Sequence, residues 1–98
     1  MEAEVAAVLI AEDEENLNRM LGDYFISLGY RVISAKDGVE AMKLFHRDSP
    51  DIAILDVMMP LMDGIDVTRR IRELSGIPVI ILTARADEQD KLIGLDTG

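Results

Sequence analysis

Ninety-eight residues suffice for one domain and no more. Nineteen acids against ten Lys and Arg leave a net charge of −9, which disfavours direct nucleic-acid binding because phosphate neutralisation needs a basic face. The chain has no cysteine, so disulfide frameworks and thiolate metal sites are excluded. A 49% apolar and 30% charged composition reads as globular rather than disordered.

Taken in order, two kinds of segment alternate. Val5 to Ala11 is a short, continuous apolar run of the kind that forms a strand covered on both faces. Leu17, Leu21, Tyr24, Phe25 and Leu28 then recur at three- and four-residue steps, a helical face with Gly29 as its stop. Arg31 to Ser34 is mixed, as an edge strand would be. Ala41, Met42 and Phe45 mark a second helix before Ser49-Pro50. Ile52 to Leu55 is a third strand, and Ile65, Thr68, Ile71 and Leu74 a third helix closed by Ser75-Gly76. Pro78 to Leu82 is a fourth strand. A fourth helical pattern follows, with Asp87 as a candidate N-cap and Leu92, Ile93 and Leu95 apolar.

Four strand–helix alternations with short connections predict a doubly wound α/β domain spanning residues 1–98, with helices on both faces of a parallel sheet. No apolar run is long enough to span a membrane, and the N-terminus lacks the pattern of a signal peptide. A cytoplasmic protein without membrane contact is the expectation.

Two of the apolar strands run into acids: Glu12 and Asp13 after the first, Asp56 after the third. In a parallel sheet the carboxyl ends share one edge, and adjacent first and third strands would bring these carboxylates into the crevice where open α/β sheets bind ligands. Carboxylates held a few ångströms apart repel one another and raise each other's pKa unless a cation sits between them. A hard divalent ion with oxygen ligands, Mg²⁺ above all, is the natural compensation. The competing account is that these are solvated loop acids of an acidic protein, which the coincidence of three at strand ends disfavours. Thr83 stands after the fourth strand at the same edge, where its hydroxyl would serve a phosphoryl oxygen or merely a turn.

The set Glu12-Asp13, Asp56 with Met58-Met59-Pro60 and Met62-Asp63-Gly64, and Thr83-Ala84 resembles the receiver domain of bacterial two-component response regulators, in order and spacing along essentially the whole chain. The resemblance implies a flavodoxin-like sheet, here of order 2-1-3-4. It implies that Asp56 is a phosphoacceptor taking a phosphoryl group from a sensor histidine kinase or a small acyl phosphate. Glu12, Asp13, Asp56 and the main-chain carbonyl of Met58 would hold Mg²⁺. Thr83 would be the switch hydroxyl, and Pro60, Asp63 and Gly64 would shape the turn beside the acceptor.

The sequence also departs from that family. It is expected to lack the family's fifth strand with its lysine, the aromatic switch residue and the fifth helix. Lys36 and Lys91 do not match the lysine's position, and His46 reads as a surface residue. Loss of a charge-stabilising cation of this kind is expected to slow phosphoryl transfer roughly 10²–10³-fold. An unpaired edge on the fourth strand and a bared sheet face are also expected, which favours self-association into a homo-oligomer. The alternative to an active phosphoacceptor is therefore a receiver scaffold that associates without chemistry. An aspartyl-phosphate phosphatase is disfavoured because Met58 stands where such enzymes carry a second acid.

Overall fold

The branched apolar runs form the centre of the molecule. The computed structural model describes residues 5–82 and the backbone of Gly94–Asp96. In chain order it contains β1 (Ala7–Ala11), α1 (Glu15–Ser27), β2 (Arg31–Ala35), α2 (Gly38–Asp48), β3 (Ile52–Asp56), α3 (Gly64–Leu74), β4 (Val79–Leu82) and β5 (Gly94–Asp96). The first four strands are parallel in the order β2-β1-β3-β4, as the alternation required. All five residues of β1 are buried, because it lies between β2 and β3 with helices on both faces.

The register places the site. Ala11, the last residue of β1, is opposite both Ala35 and Leu55, so the residues that follow on β1 and β3 emerge side by side. Leu9, Ala11, Leu55, Val67, Ile71 and Val79 belong to one core under α2 and α3. Val8, Ile10 and Ile54 face the other side, with Leu21 and Phe25 of α1 against them. Each helix opens on an acidic cap: Glu14 accepts from the Leu17 N–H, Asp37 from Glu40 and Asp63 from Asp66. At the far end of α1, Gly29 adopts φ +98°, the left-handed conformation that ends a helix without a Cβ penalty. No helix among the described residues is long and apolar enough to cross a membrane.

Three expectations from the sequence need correction. The buried face of α1 is Asn18 and Gly22 flanked by Leu21 and Phe25, whereas Tyr24 and Leu28 are more than half exposed. Likewise α3 buries Gly64, Val67, Thr68 and Ile71 and leaves Ile65 and Leu74 outside. Thr68 and Ile71 lie on the face that was expected, while in each helix a glycine, Gly22 or Gly64, makes a close approach to the sheet that a search for large apolar side chains passes over. The third correction concerns the edge of β4, which is not bare. Gly94–Asp96 pairs with it antiparallel, Ile80 opposite Leu95. The N–H and C=O row of an edge strand demands partners, and that demand overrides the weak helical periodicity read through Leu95. The remainder of the expected fourth helix, with Asp87, Leu92 and Ile93, lies outside the described residues.

The corrected face of α3 is testable by thermal or urea unfolding. Ile71→Ala, which empties a fully buried site, is expected to cost about 2–5 kcal/mol. Leu74→Ala, at an exposed site, is expected to cost less than about 0.5 kcal/mol.

Candidate functional site

The carboxyl edge of the sheet gathers the acids. Asp56 is itself the last residue of β3 and is buried to 2% exposure, paired with Leu82 of β4. The Val57 N–H that follows donates to the Leu82 carbonyl at 3.0 Å, so the acid's mount is anchored on both sides of the peptide. Glu12 directly follows β1 and is equally withdrawn, at 3% exposure, while Asp13 projects into solvent. One carboxylate oxygen from each of Glu12, Asp13 and Asp56 lies within 4.8 Å of the others.

This proximity carries an electrostatic cost. Burial, together with the charges of Asp56, Asp13 and Glu14, pushes the Glu12 carboxyl up to about 7 against the pull of the Glu14 N–H. Burial also raises Asp56 above the usual carboxylate range, with Asp13 adding to it, although the backbone N–H groups of Met58 and Val57 pull it down. Glu12 Oε2 accepts from the Glu14 N–H at 2.9 Å, but Glu12 Oε1 and Asp56 Oδ1 are buried with no hydrogen-bond donor among the described residues. Buried carboxylate oxygens on two strand ends, without donors among the described residues, form a donor set suited to a hard cation.

Beside them opens a cavity of about 410 Å³, lined by Asp13, Val57, Met58, Met59, Pro60 and Asp63. The turn from β3 to α3 builds its wall. Met59 is buried in the core beneath it, and the Met62 N–H donates to the Pro60 carbonyl at 2.8 Å across Leu61, which takes φ +71°. Such a three-residue turn with positive φ at a leucine is strained and requires its surroundings to hold it. Asp63 then caps α3, and the Gly64 N–H donates to the Val57 carbonyl at 3.1 Å. A Cβ on Gly64 would collide with the Asp56 carbonyl, so glycine lets α3 start against the strand that carries the acid.

The structure therefore brings Glu12, Asp13 and Asp56 together, sets Met58 on the wall of the adjoining cavity, and uses Pro60, Asp63 and Gly64 as turn and cap. Thr83 lies outside the described residues. His46 is exposed, as expected for a surface residue. With Phe45, Ser49, Pro50, Leu74 and Ser75 it borders a separate cavity of about 310 Å³ where α2 and α3 end. Asn18 carries a role that the sequence reading missed: from within α1 it bonds the backbone of the acidic loop. An asparagine at a position facing the sheet in an amphipathic helix was the available signal.

Comparison with known proteins agrees with this geometry. A model of the response regulator receiver domain matches residues 8–98. A probable transcriptional regulator, ycf27, of Guillardia theta is 45% identical over 91 residues, 93% of this chain and 36% of that protein. The transcriptional regulatory protein AfsQ1 of Streptomyces coelicolor is 39% identical over 94% of this chain and 41% of its own length. Among solved structures, the response regulator TrrA of Thermotoga maritima, in complex with Mg²⁺ and BeF, superposes with a TM-score of 0.79 at 31% identity. That match covers 87% of this chain and 75% of that one. The chain belongs to the response regulator receiver domain family, and it spans about two fifths or less of the curated relatives named here. Receiver domains are signalling modules that take a phosphoryl group from sensor histidine kinases and bind Mg²⁺ at an acidic pocket.

The raised Glu12 carboxyl makes a prediction for metal-free protein. The unfolded chain releases this proton near pH 4.5 and the folded chain near pH 7, so the folded state binds more protons between the two. The Glu12 contribution to stability is therefore fully present below about pH 4.5 and is lost as pH rises to about 7. In chelator-treated buffer, the difference in melting temperature between wild type and Glu12→Gln should move in favour of the variant across that window. A difference that stays flat with pH would mean that Glu12 titrates normally.

Proposed function

We propose that this chain is the phosphoacceptor module of a response regulator and that Asp56 receives the phosphoryl group. The observation that carries this reading is the position of Asp56. It is fixed as the final residue of a buried central strand, has one carboxylate oxygen without a donor among the described residues, and lies beside an open cavity and within 4.8 Å of two further carboxylates.

Asp56 attacks the phosphorus of a phosphohistidine on a sensor kinase, or of a small acyl phosphate. The P–N or P–O bond to the donor breaks as the new aspartyl P–O bond forms; the histidine nitrogen takes up a proton as it leaves, whereas the carboxylate of an acyl phosphate leaves as the anion. The strand and the Val57–Leu82 hydrogen bond hold the nucleophile in place, so little reorganisation is needed. Glu12 and Asp13, with Asp56 and the Met58 carbonyl, would hold Mg²⁺, which offsets the repulsion between an anionic nucleophile and an anionic phosphoryl group. Thr83 is proposed as the hydroxyl that responds to the bound phosphoryl group. The sequence relatives are transcriptional regulators, so a DNA-binding output elsewhere in the parent protein and a cytoplasmic setting belong to this proposal.

A second reading is an associating scaffold without phosphoryl chemistry. On the side of the sheet that carries α1, that helix packs on β1 and β2, while Ile52, Ile80 and Leu82 remain only partly buried. A second copy covering these side chains would complete that face. The β5 pairing removes the other driver, an open β4 edge.

Intact-mass measurement after incubation with Mg²⁺ and acetyl phosphate, with light scattering on the same samples, separates the readings. The expected result is one phosphoryl adduct on the wild type and none on Asp56→Asn. Folded protein that stays unmodified and runs as a dimer would replace the first reading with the second.

A further inference from the structure

Asn18 is a buried polar side chain in a helix whose remaining polar residues face water, and its hydrogen bonds run to the acidic loop. Its Nδ2 donates to the Glu12 carbonyl at 3.0 Å and to the Ala35 carbonyl at 3.0 Å. Its Oδ1 accepts from the Ser34 hydroxyl. Two carbonyls and one hydroxyl around the amide fix its orientation, since a flip would set the amide oxygen against both carbonyls.

These bonds matter for the direction of the Glu12 side chain. The Glu12 N–H donates to the Ala35 carbonyl at 3.1 Å, and the Glu12 carbonyl is held by Asn18. With both flanking peptides tied, the Cα–Cβ bond of Glu12 has one direction, into the cluster with Asp13 and Asp56. Beyond Glu12 the loop has only two residues before α1, and the Glu14 N–H closes it by donating to Glu12 Oε2. Left free, Glu12 would swing away from the two neighbouring carboxylates.

We infer that Asn18 is a positioning residue that holds Glu12 in the cation-binding cluster against the repulsion of Asp13 and Asp56. The inference rests on the proposed cation site and is separable from it. Removing a group that orients a metal ligand typically lowers metal affinity by about 10–100-fold.

The test compares Asn18→Leu, which removes every hydrogen bond, with Leu21→Ala, which loosens the same helix against the Val8–Ile10–Ile54 cluster without reaching the loop. Asn18→Ser serves as the smaller change should the leucine variant fail to fold. Mg²⁺ alone is titrated into each by calorimetry, and amide hydrogen exchange is followed at Glu14, whose N–H reports the Glu12 carboxylate. The expected result is an affinity loss of about tenfold or more for the Asn18 variants, with Leu21→Ala within about twofold of wild type, and faster exchange at Glu14 in the Asn18 variants only. Equal affinities and equal exchange in the two classes would overturn the inference. Should the wild type bind no Mg²⁺, the cation site itself fails. Glu14 exchange then decides the role of Asn18: selective acceleration supports it, and none refutes it.

Discussion

Three carboxylates held together on a rigid edge are the constraint on which the rest of this structure depends. Left to themselves they would separate, and in water they could. Here β1 and β3 are neighbours in register, so Glu12 and Asp56 leave the sheet side by side whatever their charges prefer. The cost appears as raised carboxyl pKa values and as two buried carboxylate oxygens without donors among the described residues. Hydrophobic burial of the strands supplies the opposing force. Val8, Leu9, Ile10 and Leu55 are fully enclosed, and side chains of this size contribute about 1.5–3 kcal/mol each on burial.

Several local features follow from keeping that edge in place. Gly64 brings α3 against the backbone of Asp56, and Gly38 lets α2 start against Met62 of the same turn. The positive φ of Leu61 allows the chain to reverse between Pro60 and Asp63 and leaves a cavity beside the acids. The acidic caps at the starts of α1, α2 and α3 add to the negative charge of this end of the molecule while satisfying the first N–H groups. A site assembled this way has little freedom to relax, which suits a nucleophile that must meet a phosphorus atom in line.

Much of this was legible in the chain. Continuous branched runs such as Ile52 to Leu55 gave the parallel strands, and acids placed directly after them gave the cluster, because strand ends share an edge in any parallel sheet. Helix faces were less legible. The periodicity of large apolar residues pointed to Tyr24, Leu28, Ile65 and Leu74, which the structure leaves exposed. Thr68 and Ile71 hold the face that was expected, but packing against the sheet also buries Gly22 and Gly64, where the lack of a side chain allows the close approach. The pairing of Gly94–Asp96 with β4 was hidden for another reason: three residues with one large apolar side chain carry almost no strand signal, and the edge they cover is a property of the assembled sheet. Asn18 was invisible to hydropathy because its value lies in three hydrogen bonds.

The central claim is that a cation relieves the repulsion built into the Glu12–Asp13–Asp56 cluster, and the most direct test is the Mg²⁺-induced shift in melting temperature as a function of pH. A ligand that binds only the folded state stabilises it by an amount that grows with the logarithm of its concentration relative to Kd, and protons on Glu12 compete for the same oxygens. The account predicts a rise of several degrees with about 10 mM Mg²⁺ at pH 8, which fades as pH falls through about 7 and is nearly gone at pH 5. No shift at pH 8, or the same shift at both pH values, would contradict it.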